Sequence, residues 1–294
     1  NTRSFGAEVR LVGDTLDEAV EYARELEREH GYTFVHPFED PQIIAGQSTV
    51  ALEMLEQRGD LDVVVVPIGG GGLISGIGSV YKALRPEVRI VGVESAAFPS
   101  MKRSLEEGKR VKLAPASTIA DGIAVKQPGE LTLGLVRELV DDIVTVDEEE
   151  IANAILLLLE REKTVVEGAA ATTLAALYNR RIAVEAGQRV GLLLCGGNID
   201  VNLLSRIIER GLAKDGRIVR LDVTVRDRPG NLARLLNLIA DAEANVLEVH
   251  HERNFEEVAL GDVHIELTLE TRGTEHLRDL ARAVREAGFE VERL

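Results

Sequence analysis

Apolar residues recur at helical spacing from Asp14 onward. Leu16, Ala19, Val20, Ala23 and Leu26 share one face, Asp14 is placed to cap the helix and Gly31 to stop it. Upstream of it, residues 7–12 read as a strand, and downstream a second helix is predicted over residues 43–58. Residues 61–68 form a short, nearly continuous apolar run, the pattern of a strand buried on both faces of a parallel sheet. Four glycines follow, then a helix over 73–84 and a strand over 89–94, completing a βαβ unit. A strand over 141–146, a helix over 148–160 capped by Asp147, an alanine-rich helix over 167–178, a strand over 189–194 and a helix over 199–212 continue the alternation. This order predicts an α/β fold around a parallel sheet.

The rhythm changes after the polar stretch Ala213-Lys214-Asp215-Gly216. An alternating strand over 217–225 leads through Pro229-Gly230 to a helix over 231–242. Strands over 245–253 and 262–270, a helix over 274–287 and a last strand over 290–293 follow. The order βαββαβ predicts a ferredoxin-like unit. The expected boundary lies near Asp215, giving domains 1–214 and 215–294, and a chain of 294 residues suits two domains.

A formal net charge of −16 argues against nucleic acid and anionic membrane surfaces as partners, since both would repel the chain. With 45% hydrophobic and 29% charged residues the composition is that of a soluble globular protein, and no apolar run approaches the ~18 residues that cross a bilayer. The single cysteine, Cys195, excludes an internal disulfide and is compatible with a reducing cytoplasm, which is the expected location. Of six histidines only His250 and His251 are adjacent, and neighbours in a strand face opposite ways, so no histidine metal site is expected. The chain begins Asn1-Thr2-Arg3-Ser4 with neither an initiator Met nor a signal-peptide pattern, and reads as starting within a domain.

The sharpest local motif is Gly69-Gly70-Gly71-Gly72-Leu73, between a buried strand and a helix. Glycines let backbone approach an anion closely, and a helix N-terminus presents free N–H groups to it, so the motif reads as a phosphate cradle. It lacks the Gly-Lys-Ser/Thr ending of a P-loop, and Ser75 stands where a dinucleotide fingerprint needs its third glycine. A plain tight turn is the alternative. A second small-residue turn, Cys195-Gly196-Gly197-Asn198, also follows a strand; ligands of open α/β sheets bind at such carboxyl ends. Cys195 taken alone also fits a buried small hydrophobe.

Six stretches together resemble the serine/threonine dehydratase family of β-type pyridoxal-phosphate enzymes, and within it the threonine ammonia-lyases with a C-terminal ACT domain. They are Gly6-Ala7-Glu8-Val9, the run from His36 to Pro41 with Ala45-Gly46-Gln47, the Gly69 to Leu73 loop, the run from Thr118 to Val125, Val166-Glu167-Gly168-Ala169-Ala170, and Cys195-Gly196-Gly197-Asn198. The resemblance covers essentially the whole chain and implies a tryptophan-synthase-β-like parallel sheet followed by an ACT domain. It implies that backbone amides of Gly69, Gly70, Gly71, Gly72 and Leu73 bind the phosphate of pyridoxal 5'-phosphate, that Gly122 lies against the cofactor, and that Cys195 sits beside the pyridine nitrogen. A thiol is a weak hydrogen-bonding partner there, unlike an aspartate, which suits β-elimination better than a long-lived carbanion.

The resemblance also places Asp121 and Glu167 in the active-site region as candidate catalytic residues. Their plain alternatives are a turn former for Asp121 and a helix-dipole residue for Glu167. It implies a monovalent or divalent cation held by Glu94 and a carbonyl near Phe98, although Ser100 stands where relatives have an acid. The family's Schiff-base lysine segment has no counterpart among the seven lysines here, which all sit in polar contexts, so the catalytic domain 1–214 is expected to be truncated at its N-terminus. In the C-terminal domain the resemblance implies an amino-acid effector site from Asp227, Pro229, Gly230, Asn231 and Leu232 together with Asn245 and Val246. Pro229-Gly230 opens a helix N-terminus able to meet a carboxylate. A dimerising module without ligand is the alternative.

The expected activity is therefore deamination of L-threonine to 2-oxobutanoate and ammonia, regulated through the ACT domain by an amino acid such as isoleucine, valine or threonine, in a homo-oligomer. Serine ammonia-lyase or serine racemase is the enzyme alternative. A non-catalytic amino-acid-binding regulatory fragment is the alternative from another class.

Overall fold

The computed structural model describes residues 2–13, 16–252 and 261–293. The predicted cap Asp14 and the strand end at Arg253 lie outside the described residues. The chain forms two compact units, one from Asn1–Ile151 and Thr172–Cys195, the other from Ala152–Ala171 and Gly196–Leu294.

The first unit is built on a parallel sheet of β1 (Val63–Pro67), β2 (Arg89–Ser95), β3 (Asp142–Val146) and β4 (Val190–Leu192), in the order β3-β2-β1-β4. All five residues of β1 are buried, as a β-branched run flanked by two strands and covered on both faces requires. The helices of this unit begin with α1 (Leu16–His30) and α2 (Pro41–Gln57). Gly31 ends α1 at φ +69, as expected. Asp40 caps α2 by accepting the amides of Gln42 and Ile43 at 2.7 and 3.3 Å, with Pro41 in the first turn, where a missing N–H costs nothing. Next comes α3 (Gly72–Leu84), whose Gly76 lies so close to α2 that a Cβ would meet the carbonyl of Ile44 at 2.5 Å. Two helices absent from the sequence reading follow, α4 (Ser100–Glu107) and α5 (Glu130–Leu139). Asp147 and Glu150 exchange hydrogen bonds of 2.9 Å with each other's amides at the start of α6 (Glu148–Arg161), a capping box.

Two sequence expectations are corrected. Residues 7–12 form no strand: Leu11 is 88% exposed and none of the described residues offers a ladder to this segment. The strand predicted over 189–194 shrinks to three residues, Val190–Leu192, paired among the described residues with β1 alone.

In the second unit, after α7 (Gly168–Tyr178), which straddles the two units, and α8 (Val201–Lys214), come β5 (Ile218–Arg226), α9 (Asn231–Asp241), β6 (Asn245–Glu252), β7 (Asp262–Glu270), α10 (Thr274–Glu286) and β8 (Glu290–Arg293). The four strands form an antiparallel sheet in the order β6-β7-β5-β8, the expected βαββαβ arrangement. Strict alternation along β5 and β7 sends Val219, Leu221, Val223, Val225, Ile265, Leu267 and Leu269 into one core with Leu235, Ile239, Leu280 and Val284 of the two helices.

Candidate active site

The glycine turn joins β1 to α3 at the point where the sheet's connectivity reverses. From β1 the chain proceeds to β2 and β3 on one side, while β4 lies on the other. Ligands of open α/β sheets bind at that switch point, beyond the carboxyl ends of the strands. The register ends at Val65↔Leu192, with the Leu193 amide donating to the Val65 carbonyl at 3.1 Å, and Cys195 follows three residues beyond the end of β4. The glycine turn and the segment that carries Cys195 thus leave the carboxyl ends of two adjacent parallel strands, β1 and β4.

The turn is closely packed on several sides. Gly71 has φ +95 and would place a Cβ 2.6 Å from Met101 Cε and 3.0 Å from Thr132 Cβ. A Cβ on Gly70 would overlap the Phe38 ring, one on Gly72 would stand 2.9 Å from Phe38 Cβ, and one on Gly69 3.0 Å from Ile123 Cα. No side chain caps α3, so among the described residues its first-turn amides have no side-chain acceptor. A packed glycine backbone ending on uncapped amides fits a bound phosphate, which supplies several acceptor oxygens and needs close approach.

The segment from Asp121 to Val125 abuts this turn through Ile123 and Val125. Asp121 is exposed, and its Oδ1 accepts the Gly122 amide at 2.8 Å, so its visible work is shaping a short helical turn. Glu167 lies in the second unit, where its carboxylate accepts the Asn198 amide at 3.1 Å and its own amide donates to the Gly196 carbonyl at 3.1 Å. Gly196 has φ +134, and a Cβ there would stand 2.5 Å from that carboxylate, so Glu167 anchors the second glycine turn.

Two residues the sequence reading did not single out shape the cradle. Thr132 is fully buried and donates its hydroxyl to the Gly70 carbonyl at 2.6 Å. Glu39 accepts the Leu131 amide at 2.6 Å and the Thr132 amide at 3.5 Å, capping α5 from 92 residues away. Glu39 is itself steered by His36, whose Nδ1 accepts the amides of Phe38 and Glu39 at 3.3 and 2.8 Å. Burial lowers the His36 pKa, in keeping with a neutral ring whose nitrogen accepts.

None of the seven lysines is buried. Lys82, Lys102 and Lys126 are partly buried, and Lys82 is held at 2.7 Å by Asp141 and at 3.0 Å by the Val88 carbonyl. None occupies a desolvated site that would favour the free amine a Schiff base needs.

Glu94, expected as a cation ligand, is the penultimate residue of β2 and fully buried, with its two oxygens accepting the Met101 and Lys102 amides of α4 at 2.8 and 2.9 Å. Burial pushes its pKa up to about 7. Ser100 beside it is buried, and its hydroxyl has no hydrogen-bond partner among the described residues. Those residues contain no group of three or more His, Cys, Asp and Glu side chains able to hold a metal ion.

The residues expected to bind an effector separate into two places within one chain. Gly230 caps α9 at φ +93 with no side-chain bond, Asn231 Nδ2 donates to the Arg226 carbonyl at 3.0 Å, and Leu232 packs on the core. Asp227 and Pro229 lie in the same turn, at the carboxyl end of β5. Asn245 is paired with Glu270, and Glu270 with Ile218, so Asn245 and Val246 sit at the opposite end of the same sheet.

A parallel sheet with an uncapped glycine turn at its switch point, followed by a ferredoxin-like unit, defines an enzyme that holds a phosphorylated cofactor and carries a regulatory module. The chain belongs to the pyridoxal-phosphate dependent enzymes, whose family pattern matches residues 1–196, with an ACT domain matched over residues 214–287. It is 49% identical over 290 residues to the L-threonine ammonia-lyase of Thermotoga maritima, covering 99% of this chain and 72% of that protein. Among solved structures it is similar to the T.th. threonine deaminase, with a TM-score of 0.63 and 44% identity over 67% of this chain and 65% of that one. It is also similar to serine racemase from Dictyostelium discoideum, with a TM-score of 0.62 and 36% identity over 68% and 64% of the two chains. The chain thus spans about two thirds of the length of these structures. No described helix is long and apolar enough to cross a membrane.

Proposed function

We propose that this chain is the cofactor-cradling and regulatory part of an L-threonine ammonia-lyase, which converts threonine to 2-oxobutanoate and ammonia. The observation that carries the reading is the glycine turn, packed on several sides and opening onto uncapped α3 amides at the carboxyl end of β1. When bound, pyridoxal phosphate supplies the electron sink for loss of the α-proton and expulsion of the β-hydroxyl. The chain's part is to hold and orient. Amides of Gly69 to Leu73 would take the phosphate, Gly122 and its turn would lie along the cradle, and Cys195 would be the partner of the pyridine nitrogen. Glu167 keeps the second glycine turn in place, and Asp121 sets the turn that packs on Gly69. A thiol is a weak hydrogen-bond donor, so Cys195 would not hold a proton on that nitrogen as an aspartate would, which suits β-elimination.

We place the domain boundary near Asp215, with the ACT domain over 215–294. An effector carboxylate would meet the α9 N-terminus at Gly230 and Asn231. Because Asn245 and Val246 lie at the far end of the same sheet, a site built from both halves draws on a second copy of the chain, in agreement with a homo-oligomer. The test of substrate is 2-oxobutanoate release from threonine and pyruvate release from serine, measured side by side on the protein carrying this chain. A preference for threonine of about tenfold in kcat/KM is expected, since one methylene-sized difference is worth ~1–3 kcal/mol. A preference for serine, or racemisation without ammonia release, would point instead to the serine enzymes.

A further inference from the structure

Among the described residues, the carbonyl of Gly70 is the one group of the cradle gripped by a side chain from elsewhere in the fold. Thr132 Oγ1 donates to it at 2.6 Å, and Thr132 is fully buried. A trans peptide is planar, so the Gly71 N–H points opposite to the Gly70 carbonyl. Holding that carbonyl therefore fixes the direction of the Gly71 amide within the cradle. Thr132 owes its own position to Glu39: α5 has Gly129 at its N-cap and no capping side chain of its own, and Glu39 supplies the missing acceptor for Leu131 and Thr132. Any side chain at Gly129 would overlap that carboxylate.

We infer that Thr132, held by Glu39, is a positioning residue that aims the Gly71 amide at the cofactor phosphate; this rests on the cradle assignment above. Neither residue touches the cofactor. Both act through the peptide between Gly70 and Gly71, and the effect should fall on recognition of the phosphate rather than of the pyridine ring.

The experiment compares the affinity of the full chain for pyridoxal 5'-phosphate with that for pyridoxal, which lacks the phosphate, by equilibrium dialysis. Thr132→Val should reduce the preference for the phosphorylated ligand by about tenfold, the scale of one hydrogen bond, and leave pyridoxal within about twofold. Thr132→Ser should restore the preference. Glu39→Ala should shift it the same way by a smaller factor, and it carries the test if Thr132→Val does not fold. A purely structural role would weaken both ligands together and leave their ratio unchanged. An unaltered ratio in Thr132→Val, or in Glu39→Ala where the first variant does not fold, overturns the inference while leaving the cradle standing. A wild-type chain that does not distinguish the two ligands overturns the cradle and this inference with it.

Discussion

Glu94 shows how one residue can be assigned by what its atoms already hold. Its oxygens cap α4, and burial raises its pKa to about 7, against an ordinary value of 4.5. Between those two values the folded chain binds the proton more tightly than the unfolded chain. Stability is therefore greatest below pH 4.5 as far as this group is concerned, and is lost as pH rises through 7, by at most ~3 kcal/mol. Glu94→Gln removes that slope: its unfolding temperature, followed from pH 4.5 to 8, should be flatter than that of the wild type. Parallel curves would mean that Glu94 is ionised throughout. The sequence revealed Glu94 only as a resemblance, because the partner amides come from a helix that was not read. Thr132 and Glu39 were equally hidden. Their link crosses 93 residues, and nothing in the local pattern of either segment marks it.

At the scale of elements, periodicity located most helices and strands because their apolar positions are packed as the pattern requires. It failed where an element depends on a distant neighbour. Residues 7–12 have the alternation of a strand but no partner among the described residues, and α4, with only eight residues, offers little periodicity beyond Met101 and Leu105. In α5 the signal was present in Leu133 and Val136, both buried, and went unread. The glycine turn was the most legible feature, since four consecutive glycines have few other uses. Its sensitivity follows from geometry: Gly71→Ala places a methyl near Met101 at a left-handed φ and should cost about 1–3 kcal/mol. Chemical unfolding gives the loss directly, and cofactor affinity should fall with it. An alanine tolerated with unchanged stability and affinity would show that the turn is looser than its packing indicates. Gly196→Ala should be similarly disfavoured, as its φ is +134 and Glu167 lies against it.

For the molecule as a whole, the order of strands and helices announced two architectures, and the sheet topologies agree with both. The proposed effector site was less legible, since the sequence cannot show that Asp227 and Asn245 belong to opposite ends of one sheet. The expected consequence is that an amino-acid effector, with isoleucine, valine and threonine the first to try, stabilises the second unit only where chains associate. Saturating effector should raise stability by roughly 2.7 kcal/mol at about a hundred times its Kd, the shift should shrink on dilution, and Asn245→Ala should abolish it. A shift independent of chain concentration would place the site within one copy.

The functional reading stands or falls on whether the glycine turn holds a phosphate. The 31P resonance of pyridoxal 5'-phosphate, followed from about pH 5 to 8 in the presence of the chain, answers this directly. Free phosphate monoester loses its second proton near pH ~6, so its resonance moves through this range. Held by the α3 amides, the phosphate should remain a dianion and its resonance should be shifted and nearly constant with pH. A resonance that titrates as it does in free solution would show that the turn holds no phosphate.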